Sequence, residues 1–223
     1  NGMALTIVTF PLIVVNSINT LLVPDLSQSI STGEYYSASQ RIKTILKIAF
    51  LLGMATTIIC QLIPDSLGQM FFQRDDLGLY IRLSSLSAPI FFVANTMFGI
   101  LNGLNRQSII LRNSIIISLT EIFCLYFFTR IPSINIFSYI ITIFITSTLG
   151  LIINLREVKK HIELNLSIFN IVIFSLTGIL VYLMLKLFTT RLLDGLFLSK
   201  NIIVITLTFA IFAYLSRFGL DED

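Results

Sequence analysis

The chain is 223 residues long, 55% hydrophobic and 12% charged, with a formal net charge of +3 and a mean hydropathy of +0.90. A soluble domain carries roughly 25% charged residues, so the composition excludes an ordinary water-soluble globular protein. The basic residues are scattered and form no dense cluster, which gives nucleic acid no face to bind.

Apolar runs of about 20 residues recur along the chain, the length at which a helix rising ~1.5 Å per residue crosses ~30 Å of hydrocarbon. The opening Asn1-Gly2-Met3 lacks the ordered segments of a signal peptide, and the chain is expected to be a fragment. The first span, 3–24, contains Pro11, Asn16, Ser17, Asn19 and Thr20. Pro11 interrupts the backbone ladder well inside it, favouring a kink that is either a hinge or static. Asn16 and Asn19, three apart, share one helix face.

A polar stretch, SQSISTGEYYSASQ, leads to the second span, 42–63. In PDSLGQMFFQRDD, Leu67, Met70 and Phe71 fall at helical spacing ahead of Gln73, Arg74, Asp75 and Asp76, so the segment is either a surface helix or a plain loop. The third span, 79–104, holds Ser84, Ser85, Ser87, Asn95, Thr96, Asn102 and a second internal proline, Pro89, again hinge or static kink. Its Gly99 and Gly103 form a G-x-x-x-G pair that lets another helix pack closely.

Four further spans are drawn at 107–129, 133–155, 167–190 and 198–218. The short junctions at Asn105 and Ile131 make their flanking helices antiparallel neighbours. Glu121 lies near the middle of the fourth span, where a carboxylate costs at least ~2.5 to 3.5 kcal/mol or is held protonated. Proton coupling, pairing with another part of the protein, and a bond to an amide such as Asn95 are all open to it. Nine Lys and Arg residues fall on one side of the bundle, densest around Arg41 and Lys159, and six on the other. Cytoplasmic loops collect such residues, which places the C-terminus in the cytoplasm.

The fold expected is therefore all-α: a polytopic bundle of about seven transmembrane helices, with residues 1–223 as a single transmembrane domain. Amides within the spans either hydrogen-bond across helix interfaces or line an aqueous path for a polar substrate. Cys60 and Cys124 read as small buried hydrophobes. No metal-ligand cluster, phosphate-cradling loop or cofactor motif is present, so neither an enzyme nor a nucleotide-driven pump is expected.

Phe10-Pro11, then Asn16-Ser17-Ile18-Asn19-Thr20-Leu21-Leu22-Val23-Pro24-Asp25-Leu26-Ser27 and Gly33-Glu34, followed by Ile100-Leu101-Asn102-Gly103-Leu104 and Arg112-Asn113-Ser114, resemble the stage V sporulation protein B branch of the polysaccharide transporters. That branch belongs to the multidrug/oligosaccharidyl-lipid/polysaccharide exporter superfamily, and the likeness runs over most of residues 2–220. It implies a transporter of fourteen helices in two lobes around a central cavity, working by alternating access, of which these would be the last seven. The N-terminal lobe would be absent from this chain. The first helix would then line the cavity with Asn16, Asn19 and Thr20, with Asn95 and Glu121 as further cavity candidates. Spans six and seven would pack towards lipid or form a groove for a lipid tail.

The function so implied is a flippase in the bacterial cytoplasmic membrane. Its substrate would be a lipid-linked oligosaccharide or peptidoglycan-type precursor for spore cortex or envelope polysaccharide. Only Arg82 and Arg112 lie near span ends and Glu121 would repel a pyrophosphate, so anion-binding residues would belong to the other lobe. An ion-coupled multidrug exporter of the same superfamily and a membrane scaffold for envelope-synthesis enzymes are the rival readings.

Overall fold

The computed structural model describes residues 2–162, 164, 168–192 and 197–217, and every long element among them is an α-helix. In chain order these are α1 (Gly2–Thr9), α2 (Leu12–Ser31), α3 (Tyr35–Leu62), α4 (Pro64–Phe72), α5 (Gly78–Ser85), α6 (Ala88–Gly103), α7 (Gln107–Thr129), α8 (Ser138–Lys159), α9 (Ile168–Leu192) and α10 (Phe197–Arg217). A 3₁₀ turn, Asn135–Phe137, precedes α8. The all-α reading holds, but the count of seven is approximate. Four helices, α3, α7, α8 and α9, are long and apolar enough to cross a membrane. The total reaches six if each of two bent pairs is one span, and the described apolar stretch of α10, Lys200–Ser216, is shorter.

The two bent pairs correct the first and third spans, which were drawn as single helices. α1 and α2 meet at 50°, α5 and α6 at 54°. At the first break Pro11 caps α2 with φ −65° and has no N–H to give. The turn is closed by local bonds: Phe10 N–H donates to the Ile7 carbonyl at 3.3 Å and Ile13 N–H to that of Phe10 at 3.2 Å. At the second break Pro89 is the second residue of α6, so the Ser85 carbonyl, four residues back, loses its helical donor. Here α3 supplies the replacement. Thr57 Oγ1 donates to the Ser85 carbonyl at 2.8 Å, and Gln61 Nε2 donates to the Arg82 carbonyl at 2.8 Å and to Ser85 Oγ at 3.2 Å. Gly53, Thr57 and Gln61 are spaced by four, a single stripe on α3. At Gly53 a Cβ would lie 2.5 Å from Pro89 Cα.

α3 also joins the three apolar clusters. Ala49, Ile59 and Cys60 pack with α1, α5 and α6; Ile42 and Leu46 with α2, α6 and Val158 of α8; Leu51, Ala55 and Ile58 with α9 and α10. Half of its apolar window is buried, against 11% for α7. α7 accordingly leaves Ile116, Phe123, Tyr126 and Phe127 exposed. Water penalises such surface by roughly 25 cal/mol per Å² and hydrocarbon does not. Cys60 and Cys124 are buried free thiols.

α2 runs through Pro24 to Ser31, so the polar stretch that followed the first span is largely helical and only a short turn around Gly33 (φ 78°) separates α2 from α3. Tertiary packing overrides the proline: Leu22 and Leu26 are buried against α6, where a Cβ on Gly103 would lie 2.9 Å from Leu26 Cδ2. The mixed segment after α3 is a helix and not a plain loop. α4 starts on Pro64, buries Leu67, exposes Met70 and Phe71, and stops at Gln73 in the left-handed region (φ 54°). Beyond it the two-pronged bond from Arg74 to Asp76, 2.8 and 2.6 Å, holds the Asp76 carboxyl below the usual carboxylate range. The pair is exposed and contributes little to stability.

Candidate functional site

Residues of α1, α6, α7 and α8 line a half-open cavity of about 460 Å³. Its lining includes α1, which meets α2 at 50°, and Ser87 at the 54° break between α5 and α6. Glu121 of α7 faces it, with Asn95 from α6, Tyr139, Thr146 and Ser147 from α8, and Thr6 and Thr9 from α1. The threonine hydroxyls spend their protons on their own helices: Thr6 on the Gly2 carbonyl, Thr9 on that of Leu5 and Thr146 on that of Thr142, at 3.1, 2.8 and 2.9 Å. What they offer the cavity is oxygen lone pairs. A carboxyl among acceptor oxygens suits a cation, a proton or the hydroxyl hydrogens of a sugar, and repels a phosphate.

Among the described residues Glu121 has no ion-pair partner. The bond to Asn95 considered from sequence is not formed: Asn95 Nδ2 donates instead to Asn16 Oδ1 at 3.0 Å, joining α6 to α2. Asn16 and Thr20 are exposed on α2 and do not line this cavity. Asn19 is packed under Gly99, where a Cβ would lie 2.8 Å from its Cγ, and its Oδ1 is buried without a partner. Gly99 and Gly103 thus admit α2 against α6. Of the five cavity candidates, Asn95 and Glu121 line this cavity, and Asn16, Asn19 and Thr20 are not among its lining residues.

A second polar cluster joins α7 to α8 beyond the cavity. The Glu157 carboxylate, in a residue 9% exposed, accepts from Arg112 Nη2 at 2.7 Å and from Lys160 Nζ at 3.1 and 3.2 Å. Arg112 also donates through Nε and Nη2 to Asn113 Oδ1, at 3.2 and 3.1 Å. Asn113 Nδ2 donates to Asn154 Oδ1 at 2.8 Å, and both asparagines are fully buried. Asn154 and Glu157 went unread because polar residues near span ends pass unnoticed, and Asn113 was read only as part of the Arg112-Asn113-Ser114 motif. The signal was the hairpin itself: folding α7 back on α8 pairs Ile117 with Gly150, whose Cβ would lie 3.1 Å from Ile117 Cδ1, and one turn further on pairs Asn113 with Asn154.

No His, Cys, Asp and Glu grouping among the described residues could hold a metal ion. Comparison with known proteins finds a distant similarity to Stage V sporulation protein B of Bacillus subtilis (strain 168), 20% identical over 167 residues. The aligned region is 75% of this chain and 32% of that protein, so the chain spans about a third of its relative's length. No family model matches the chain, and no solved structure matches it.

Proposed function

We propose that this chain is one lobe of a two-lobe membrane transporter that flips a lipid-linked oligosaccharide or peptidoglycan-type precursor across a bacterial cytoplasmic membrane, for spore cortex or other envelope polysaccharide. The distant similarity to a sporulation protein and the long apolar helices fit a membrane transporter. The observation that carries the reading is the cavity: a carboxyl and a set of hydroxyl and amide groups face one space at the junction of two broken helices. Broken helices at membrane depth recur where a polar solute must be accommodated. On this reading the basic end of the bundle, with the C-terminus, faces the cytoplasm, and the exposed Asn16 and Thr20 face the second lobe.

The decisive assay is scrambling of a fluorescent polyprenyl-pyrophosphate sugar by the full-length protein in vesicles. Quenchable label should reach both leaflets well above the rate in protein-free vesicles. Label that stays on its original leaflet would leave a scaffold as the better account. A second reading, an ion-coupled drug exporter, is favoured by Glu121 and its acceptor-rich walls; efflux of a cationic dye with no lipid scrambling would select it.

The two breaks divide the work. Side chains of α3 hydrogen-bond the α5/α6 bend, whereas among the described residues the hydrogen bonds at the α1/α2 bend are local, which supports Pro11 as the hinge and Pro89 as a static kink. Pro11→Ala is expected to slow scrambling on the order of fivefold, about 1 kcal/mol of barrier, with unfolding unchanged. Unaltered scrambling in that variant would rule the hinge out.

A further inference from the structure

We propose that Arg112 and Lys160, both held by Glu157, form a binding site for the phosphate group of a lipid headgroup at the basic end of the α7–α8 hairpin. The proposal rests on the transporter reading for its purpose, since it gives an anionic headgroup a place to dock in a lobe whose cavity repels one. Its test measures binding alone, so the two ideas fail separately.

One carboxylate is shared by two cations, which leaves a net positive charge at a point where a balanced pair would leave none. Nitrogens at 2.7 and 3.1 Å from the same Oε1 cannot be more than about 6 Å apart. Two donors that far apart can each reach an oxygen of one phosphate at about 2.8 Å. Both side chains stay open to a ligand, 56% and 63% exposed, while their counter-ion is 11% exposed.

Donor capacity remains as well. Arg112 uses Nε and Nη2 on Asn113 and Glu157, and its Nη1 has no partner among the described residues. Lys160 retains a third N–H. Asn154 Nδ2 is buried with no acceptor, so the cluster holds more donors than acceptors throughout. The guanidinium is also preorganised: it is braced from below by fully buried Asn113, itself braced by fully buried Asn154. A side chain fixed in advance loses less freedom on binding.

The ligand is a lipid and not a free anion because of what adjoins the cations. An exposed apolar stripe, Leu111, Ile115, Leu119 and Ile122, begins one residue from Arg112 and follows α7 along the hydrocarbon. A headgroup on Arg112 and Lys160 would lay its chain on that stripe.

The test is titration of the full-length protein, in detergent, with polyprenyl pyrophosphate, read by native mass spectrometry. The double variant R112Q/K160Q should weaken binding at least about tenfold, a loss of ~1.4 kcal/mol. R156Q/K159Q removes the same charge from exposed neighbours that Glu157 does not hold, and should change binding less than about twofold. Equal losses in the two double variants would reduce the site to a diffuse surface potential and overturn the proposal, as would full binding by R112Q/K160Q. Displacement of the lipid by an equal concentration of inorganic pyrophosphate would also overturn it, because the site would then read a free anion. If R112Q/K160Q misfolds around its orphaned carboxylate, R112Q/E157Q/K160Q removes that burden and must show the same loss.

Discussion

Replacing Gly53 with alanine is expected to destabilise the protein by a net 1–2 kcal/mol, roughly, and replacing it with leucine to remove the protein from the monodisperse fraction. Two effects oppose each other at this position. Alanine favours a helix interior over glycine by about 1 kcal/mol. Against that, the new Cβ would lie 2.5 Å from Pro89 Cα, 2.9 Å from Pro89 N and 3.0 Å from the Ala88 carbonyl oxygen, where carbon contacts settle near ~3.5 to 4.0 Å. All three neighbours are backbone, and Pro89 lies in a bend that α3 itself holds, so no side chain can swing aside. The helices must part, and overpacking of this kind costs about 1–3 kcal/mol or more. Thr57→Val tests the same contact more gently: it keeps the shape, strips the Ser85 carbonyl of its donor, and should cost about 1 kcal/mol. Thermal unfolding in detergent reads both. A Gly53→Ala midpoint at or above the parent's would mean that α3 and α6 do not meet as described.

That contact also marks where the sequence stopped being informative. α7 was legible to the residue, 107–129, because Arg106 and Arg130 bracket a mostly apolar stretch and no tertiary partner is needed to end it. Pro11 and Pro89 announced trouble in their spans, but not that each span is two helices, nor that one bend is held from outside. Thr57 and Gln61, which hold it, look like ordinary polar residues in an apolar helix until α5 is laid beside α3. The end of α2 was misplaced for the opposite reason. Pro24 and Asp25 are local stop signals, yet burial of Leu22 and Leu26 against α6 carries the helix past them. Of the site, the lone acid Glu121 was visible by its rarity and Asn95 by its depth. The hydroxyls around them were not, since Thr6, Thr9, Thr146 and Ser147 come from helices whose meeting depends on the two bends.

Glu121→Gln is the substitution expected to affect transport most, on the reading proposed above. Glutamine has nearly the volume of glutamate and can still hydrogen-bond, so the cavity of about 460 Å³ keeps its shape and loses only the ionisable group. If that group takes up a proton or a cation during the cycle, scrambling should fall at least tenfold, about 1.4 kcal/mol of barrier. Acceleration by an imposed proton or sodium gradient should vanish with it. Glu121→Asp keeps the acid but withdraws it towards α7, and should retain gradient sensitivity at a lower rate. A structural role predicts the reverse pattern. Glu121 has no ion-pair partner among the described residues, so neutralising it would leave transport intact and raise the unfolding midpoint by relieving a carboxyl placed in a largely apolar bundle. Scrambling and unfolding measured on the same preparations therefore separate the two: a fast, stabilised Glu121→Gln protein removes the acid from the mechanism, and a slow one of unchanged stability places it there.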